Sequence, residues 1–330
     1  MLRPVLLAAA VAWALAASPS VFAAPAAAAS SDATARNPSA QTLHGLFDAE
    51  WERGLRENPE GASFNGDKRF NDRWTDQSLG AIQARAQADV DALARLKAID
   101  RSRLSAEDQL NYDVFAWNLE KGIARQKFRE YLMPLSQQGG VQTLDGVSEA
   151  LPFTQVKDYR DWLTRMRAVP AVIEQNQVLM REGVKAGLTP PRVLMQRVPG
   201  QIAKQVVTDP TKSPFYKAFA QFPDSIPMAE RAGLQGEAKQ VISEVLVPAY
   251  RRFGEFFDKE YLPNTRTSIA AGELPEGKAY YDFLAAYYTT TDLSAEAIHQ
   301  IGLKEVARIR AEMEKIKTEV GYKGSLAEFF

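Results

Sequence analysis

The chain has no cysteine, and only two of its 330 residues are histidine, His44 and His299. The first absence excludes disulfides, thiolate metal sites, a cysteine nucleophile and a lipidated N-terminal cysteine. The second excludes any site that needs several imidazoles from this chain. An excess of one charge is missing too. The formal net charge is -1, which offers no basic surface to nucleic acid or an anionic membrane. Strong local motifs are also lacking. Gly45 follows His44 and Gln300 follows His299, so there is no His-Glu-x-x-His zinc helix. The stretch "GASFNG" (61–66) carries Asn65 where a nucleophile elbow requires glycine. No glycine-rich phosphate loop, alternating strand pattern or fixed-period repeat is found.

What is present is a signal-like start and a helical remainder. "MLRPVLLAAAVAWALAASPSVFA" has Arg3, an apolar stretch over Val5–Ala17 and a small-residue cleavage site ending at Ala23. It reads as a secretory signal peptide, 1–23. The apolar stretch is shorter than the roughly 20 residues a membrane span needs, so no stable span remains after cleavage. Loss of Arg3 takes the charge from -1 to about -2. The expected destination is the periplasm or the exterior. Residues 24–40 are poor in bulky apolar side chains and form a flexible lead-in.

Residues 41–330 are expected to form one mainly α domain of long antiparallel helices. Leu43, Leu46, Phe47 and Trp51 recur at helical spacing before Pro59, and Ile82, Val90, Leu93 and Leu96 do the same. Ser105 and Asp108 stand at capping-box spacing, ahead of Leu110, Val114, Trp117 and Phe128, in a helix expected to end near Met133. A helix over 156–186 is expected to break or kink at Pro170 and to stop at Gly187. Another over 228–262 carries Val241, Val245, Phe253 and Phe256, with Pro248 as a kink. Ser294 caps a last long helix with Ile298, Ile301, Ile309, Met313, Ile316 and Val320 on one side. "GSLAEFF" sets Ser325 and Glu328 as a further capping box. One turn cannot stabilise itself, so the native protein is expected to continue past Phe330.

Chemistry-bearing candidates are few. Glu296 and His299 share a helix face, as in bundle metal sites. A second such pair is needed, and Gln41 stands where an acid should precede His44. A surface hydrogen bond is the simpler expectation. Glu182, Glu244 and Glu273 are expected to be solvated. Tyr280 and Tyr287 fall on one helix face, Tyr281 and Tyr288 on another. Tyrosine packs its ring, lines pockets or steadies an oxyanion.

Two stretches resemble a known family. They are "YLPNTRTSIAAGELPEGKAYYDFLAAYYTTTDLSAEAIHQIGLKEVARIRAEM" (261–313) and "REGVKAGLTPPRVLMQRV" (181–198). The matching features include Tyr261-Leu262-Pro263, Arg266, Gly272, Gly277, Tyr280-Tyr281, the Thr289–Thr291 run and Gly183, Gly187 and Val193. The family is a bacterial one known as a domain of unknown function, and the resemblance spans 39–330. It implies exported helical proteins about twice this size that resemble zincin-type metallopeptidases. Their metal motif, a His-Glu pair followed by Pro-Gly-His-His, has no counterpart here. The resemblance therefore implies zinc for the full-length family but no catalytic or metal-ligating residue in this chain. It implies one lobe of a larger protein, inactive alone, walling a cleft for a peptide or peptide-like substrate. Arg266, Tyr280, Tyr281, Tyr287 and Tyr288 are the candidates to line it. A non-enzymatic periplasmic binding or scaffold protein is the alternative, and a carboxylate-bridged metal bundle a third reading.

Overall fold

The computed structural model describes residues 37–330, so the signal-peptide expectation and most of the lead-in lie outside the described residues. Helix α1, Pro38–Glu57, starts inside the expected lead-in. Asn37 causes this: its side chain accepts from the N–H groups of Ser39 and Ala40, and Pro38 takes the first helical position. Helix α2, Leu79–Lys97, is capped by Ser78, and helix α3, Ala106–Gln126, by Ser105. Leu43, Leu46, Ala92, Leu96 and Leu119 form the small core among the three. The Ser105–Asp108 box is half made. Ser105 accepts from the Asp108 N–H, while the Asp108 carboxylate takes His44 Nε2 at 2.7 Å.

Helix α3 stops at Gln126 rather than near Met133. Arg129 adopts a left-handed conformation, φ 51°, and one 3-10 turn, Glu130–Leu132, follows. The early stop buries Phe128. Trp51, Val90, Leu110 and Val114 were expected on core-facing stripes, and all four are exposed.

The main core is built on helix α4, Val156–Ala186. It keeps Pro170 inside and ends at Gly187, φ 70°, where a residue without Cβ carries the left-handed turn at least cost. Its buried side includes Tyr159, Trp162, Leu163, Met166, Val169 and Met180. Against it lies a continuous rod. Helix α5, Met228–Val241, passes through a π turn, Ile242–Leu246, into helix α6, Val247–Phe256, and a second π turn, Phe257–Tyr261. Each π turn ends two residues before a proline, Pro248 or Pro263. Proline has no N–H and its ring crowds the carbonyl four residues back, and widening the preceding turn relieves that crowding. Tyr250, Phe253 and Phe257 of the rod pack with Trp162 and Phe215 in the main core.

Helices α7, Gly277–Thr289, α8, Ala295–Glu319, and the single turn α9, Leu326–Phe329, complete the chain. No β-strand occurs among the described residues, only an isolated bridge between Pro191 and Arg266. The fold is all-α, one helical domain, as the periodicity predicts.

Candidate functional site

The two stretches that carry the family resemblance, about 70 residues apart, meet in space. The Arg192 N–H donates to the Arg266 carbonyl at 2.7 Å, and the Arg266 N–H donates to Thr189 Oγ1 at 3.0 Å. The arginine side chains then cross. Arg192 Nη2 donates to the carbonyls of Pro263 and Thr265 at 2.7 and 2.9 Å. Arg266 donates from Nε to the Thr189 carbonyl at 3.0 Å, and from Nη1 to those of Ser268 and Ala270 at 3.1 and 2.8 Å. Burial lowers the Arg266 pKa, with Glu273 opposing. Arg266 thus shapes the 262–270 loop through backbone carbonyls.

Two glycines let this surface close. A Cβ on Gly183 would stand 2.5 Å from the Leu132 carbonyl oxygen and 2.7 Å from that of Leu188. One on Gly277 would stand 2.2 Å from the Ala271 carbonyl oxygen. Both lie below any real contact distance, so chain meets chain directly.

Helix α7 is held between two left-handed residues, Glu276 (φ 55°) and Thr290 (φ 53°), a conformation that costs a side-chain-bearing residue about 1 kcal/mol or more. Its tyrosines divide as their spacing predicts. Tyr280 is half-buried, 5.1 Å from the Phe128 ring, and Tyr287 stacks on Trp117 at 5.2 Å and 16°. Burial, reinforced by the Glu130 carboxylate, pushes the Tyr280 hydroxyl up to about 12. Glu130 is itself paired with Arg125, at 2.6 Å through Nη2. Tyr281 and Tyr288 face outward, 53% and 70% exposed.

Helix α8 follows, capped by Ser294. None of its residues is buried. Ile301, Val306, Ile309, Ile316 and Val320 lie exposed on it. The structure thus brings Tyr280, Tyr287 and α3 together, and leaves Tyr281, Tyr288 and the α8 stripe uncovered. The Glu296–His299 bond is not formed: Glu296 takes the Gln300 amide at 2.8 Å instead. Glu244 and Glu273 are exposed, and half-buried Glu182 pairs with Lys185 at 2.7 Å. Among the described residues no group of three or more His, Cys, Asp or Glu could hold a metal ion. With His44 engaged by Asp108, the side chains here do not fit a zinc centre, and no step through zinc follows from them.

One further feature was not expected. An open groove of about 810 Å³ runs between α1 and α3, lined by Phe47, Trp51, Leu110, Asn111, Val114 and Asn118 among others. Phe47 and Phe115 meet edge-to-face in it at 5.0 Å. Its signal was in the sequence, in Trp51, Leu110 and Val114, but their helical spacing pointed to core.

Residues 59–330 match the family described as "Bacterial protein of unknown function (DUF885)", and the chain belongs to that family. No curated protein matches it. Among solved structures it is similar to "the putative lipoprotein from Colwellia psychrerythraea", with a TM-score of 0.78 and 19% identity. The match covers 88% of this chain and 53% of that one. At this identity the likeness shows the fold. The chain spans about half the length of that structure. No helix among the described residues is long and apolar enough to cross a membrane.

Proposed function

We propose that this chain is the helical wall of a larger, exported, metallopeptidase-like hydrolase. Tyr281, Tyr288 and the apolar side of α8 face a cleft that holds a peptide or peptide-like substrate. The observation that carries this reading is the α7–α8 face. Its aromatic and aliphatic side chains stay in water although α7 is fixed between two left-handed residues and α8 is capped by Ser294. Overlap with only half of a longer, similarly folded structure supports a second lobe opposite that face. The lipoprotein description of that structure and the signal-like start of this sequence both support export.

The wall's contribution is physical. Apolar walls exclude water from a bound peptide, and outward tyrosines can stack on side chains or bond a peptide carbonyl. The hydrolytic groups and the zinc belong outside this chain, because its own side chains do not fit them.

The test is hydrolysis of a fluorogenic peptide pool by the full-length native protein, with and without a chelator. Chelator-sensitive turnover is expected. Tyr281→Ala with Tyr288→Ala should raise KM roughly tenfold while leaving Tm unchanged, since both residues are exposed. No turnover after zinc is restored, or unchanged kinetics in the variant, defeats the reading. The open α1–α3 groove favours a second reading, a non-enzymatic helical binding protein. Peptide binding without turnover in the same assay selects it.

A further inference from the structure

We infer that the α1–α3 groove is a docking site for an extended peptide of polyproline-II type carrying a bulky apolar side chain and a basic residue. None of the four α7 tyrosines lines the groove, and the inference does not rest on the hydrolase reading. Three observations converge. The groove presents an aromatic lining, Phe47, Trp51 and Phe115, with Trp51 58% exposed. Aromatic-lined grooves take proline-rich segments because that conformation is preformed and leaves its backbone amides free.

The second observation is Asn111 and Asn118. Both carboxamides line the groove without a hydrogen-bond partner in the chain. Seven residues apart on α3, they share a face at about 10.5 Å along the axis. A polyproline-II chain repeats its orientation every three residues, or roughly 9.3 Å. Each carboxamide can therefore donate to one peptide carbonyl and accept from one N–H of equivalent units. A bound α-helix would offer no such backbone groups, since its own ladder uses them.

The third is charge. Glu50 in the lining is taken by Arg53 and Arg95, and Arg53 also by Glu57 and Asp89. Asp48 alone lines the groove with no ion-pair partner. A basic side chain on the ligand matches it.

The full chain is titrated with a fluorescein-labelled nonapeptide of three Leu-Pro-Lys repeats and followed by anisotropy. Saturable binding is expected, stronger than for three Leu-Pro-Glu repeats. Asn111→Ala with Asn118→Ala should weaken it roughly tenfold or more. Trp51→Ala and Asp48→Lys should weaken it as well. All four residues are exposed, so unchanged circular dichroism and Tm confirm that the fold is kept. Binding that ignores the asparagine pair overturns the proposal, as does no saturation by millimolar probe. Preference for an amphipathic Leu/Lys helix overturns it in favour of a helical partner. Self-association abolished by Trp51→Ala overturns it in favour of a second copy.

Discussion

Helices α4 and α8 are written in the same code and end in opposite environments. Both are long, 31 and 25 residues, and both repeat apolar side chains at helical intervals. α4 lies in the main core and buries Tyr159, Trp162, Leu163 and Met166 nearly completely. α8 buries nothing. What holds α8 is largely internal. Arg308 bridges Glu305 and Glu312, and Lys317 pairs with Glu314, all at helix-neighbour spacing. Such pairs are worth a few tenths of a kcal/mol each. A hydrophobic stripe therefore announces a helix and its sticky side, but not whether a partner is there to cover it.

The comparison breaks most sharply under one substitution made twice. Leu163→Lys puts an ammonium into a site 1% exposed. It should cost more than about 5 kcal/mol and leave the chain unfolded at room temperature, read by near-UV circular dichroism. Next in size is Arg165, also on α4 and fully buried. Its guanidinium donates to the carbonyls of Arg73, Pro59 and Phe70 and to Ser63 Oγ, with no carboxylate in contact, and burial pulls its pKa down to about 10. Arg165→Met removes the charge but strands those acceptors. A loss of roughly 3 kcal/mol in urea unfolding is expected. A neutral result would mean that the cation's own desolvation had offset its bonds.

A smaller effect separates the two faces of α7. Burial in the folded state raises the Tyr280 pKa from the ordinary tyrosine value of 10.0 to about 12. Between those values the unfolded chain has lost the proton and the folded one keeps it, so stability falls as pH rises. Tyr280→Phe should make the fall of Tm between pH 10 and 12 shallower. Equal slopes for the two proteins would show that the hydroxyl is not screened from water as its packing on Phe128 implies.

The sequence made some of this visible and hid the rest for definite reasons. Gly187 at the end of α4 was legible because glycine acts locally. Pro170, by contrast, does not break the helix, which runs on from Val156 to Ala186 with Val169, Val172 and Ile173 held in the main core. The stop of α3 at Gln126 was not legible, because what ends it is the burial of Phe128 against Tyr280 and Phe283 on α7. Arg266 stood out in a motif and suggested substrate. Its acceptor at Thr189 lies 77 residues away, beyond any reading of spacing. The division of the four tyrosines was correct, since it depends on helix geometry alone. The groove was misread as core for the converse reason. Trp51, Leu110 and Val114 keep a perfect helical period, and only the separation of α1 from α3 leaves them in water.

The smallest expected effect carries the most information about α8. Ile309 is 41% exposed and flanked by Glu305 and Glu312. Lysine there gains acidic neighbours at i-4 and i+3 and loses little buried area. Ile309→Lys should therefore change the stability of the isolated chain by less than about 0.5 kcal/mol, against unfolding for the same change at Leu163. Exposed stripes associate, so the substitution should also lower light scattering at high protein concentration. In a longer protein whose second lobe covers α8, the same lysine would be buried and should cost several kcal/mol. Equal, near-zero effects in the short and long forms would leave α8 a solvated arm and remove the wall from the proposed cleft.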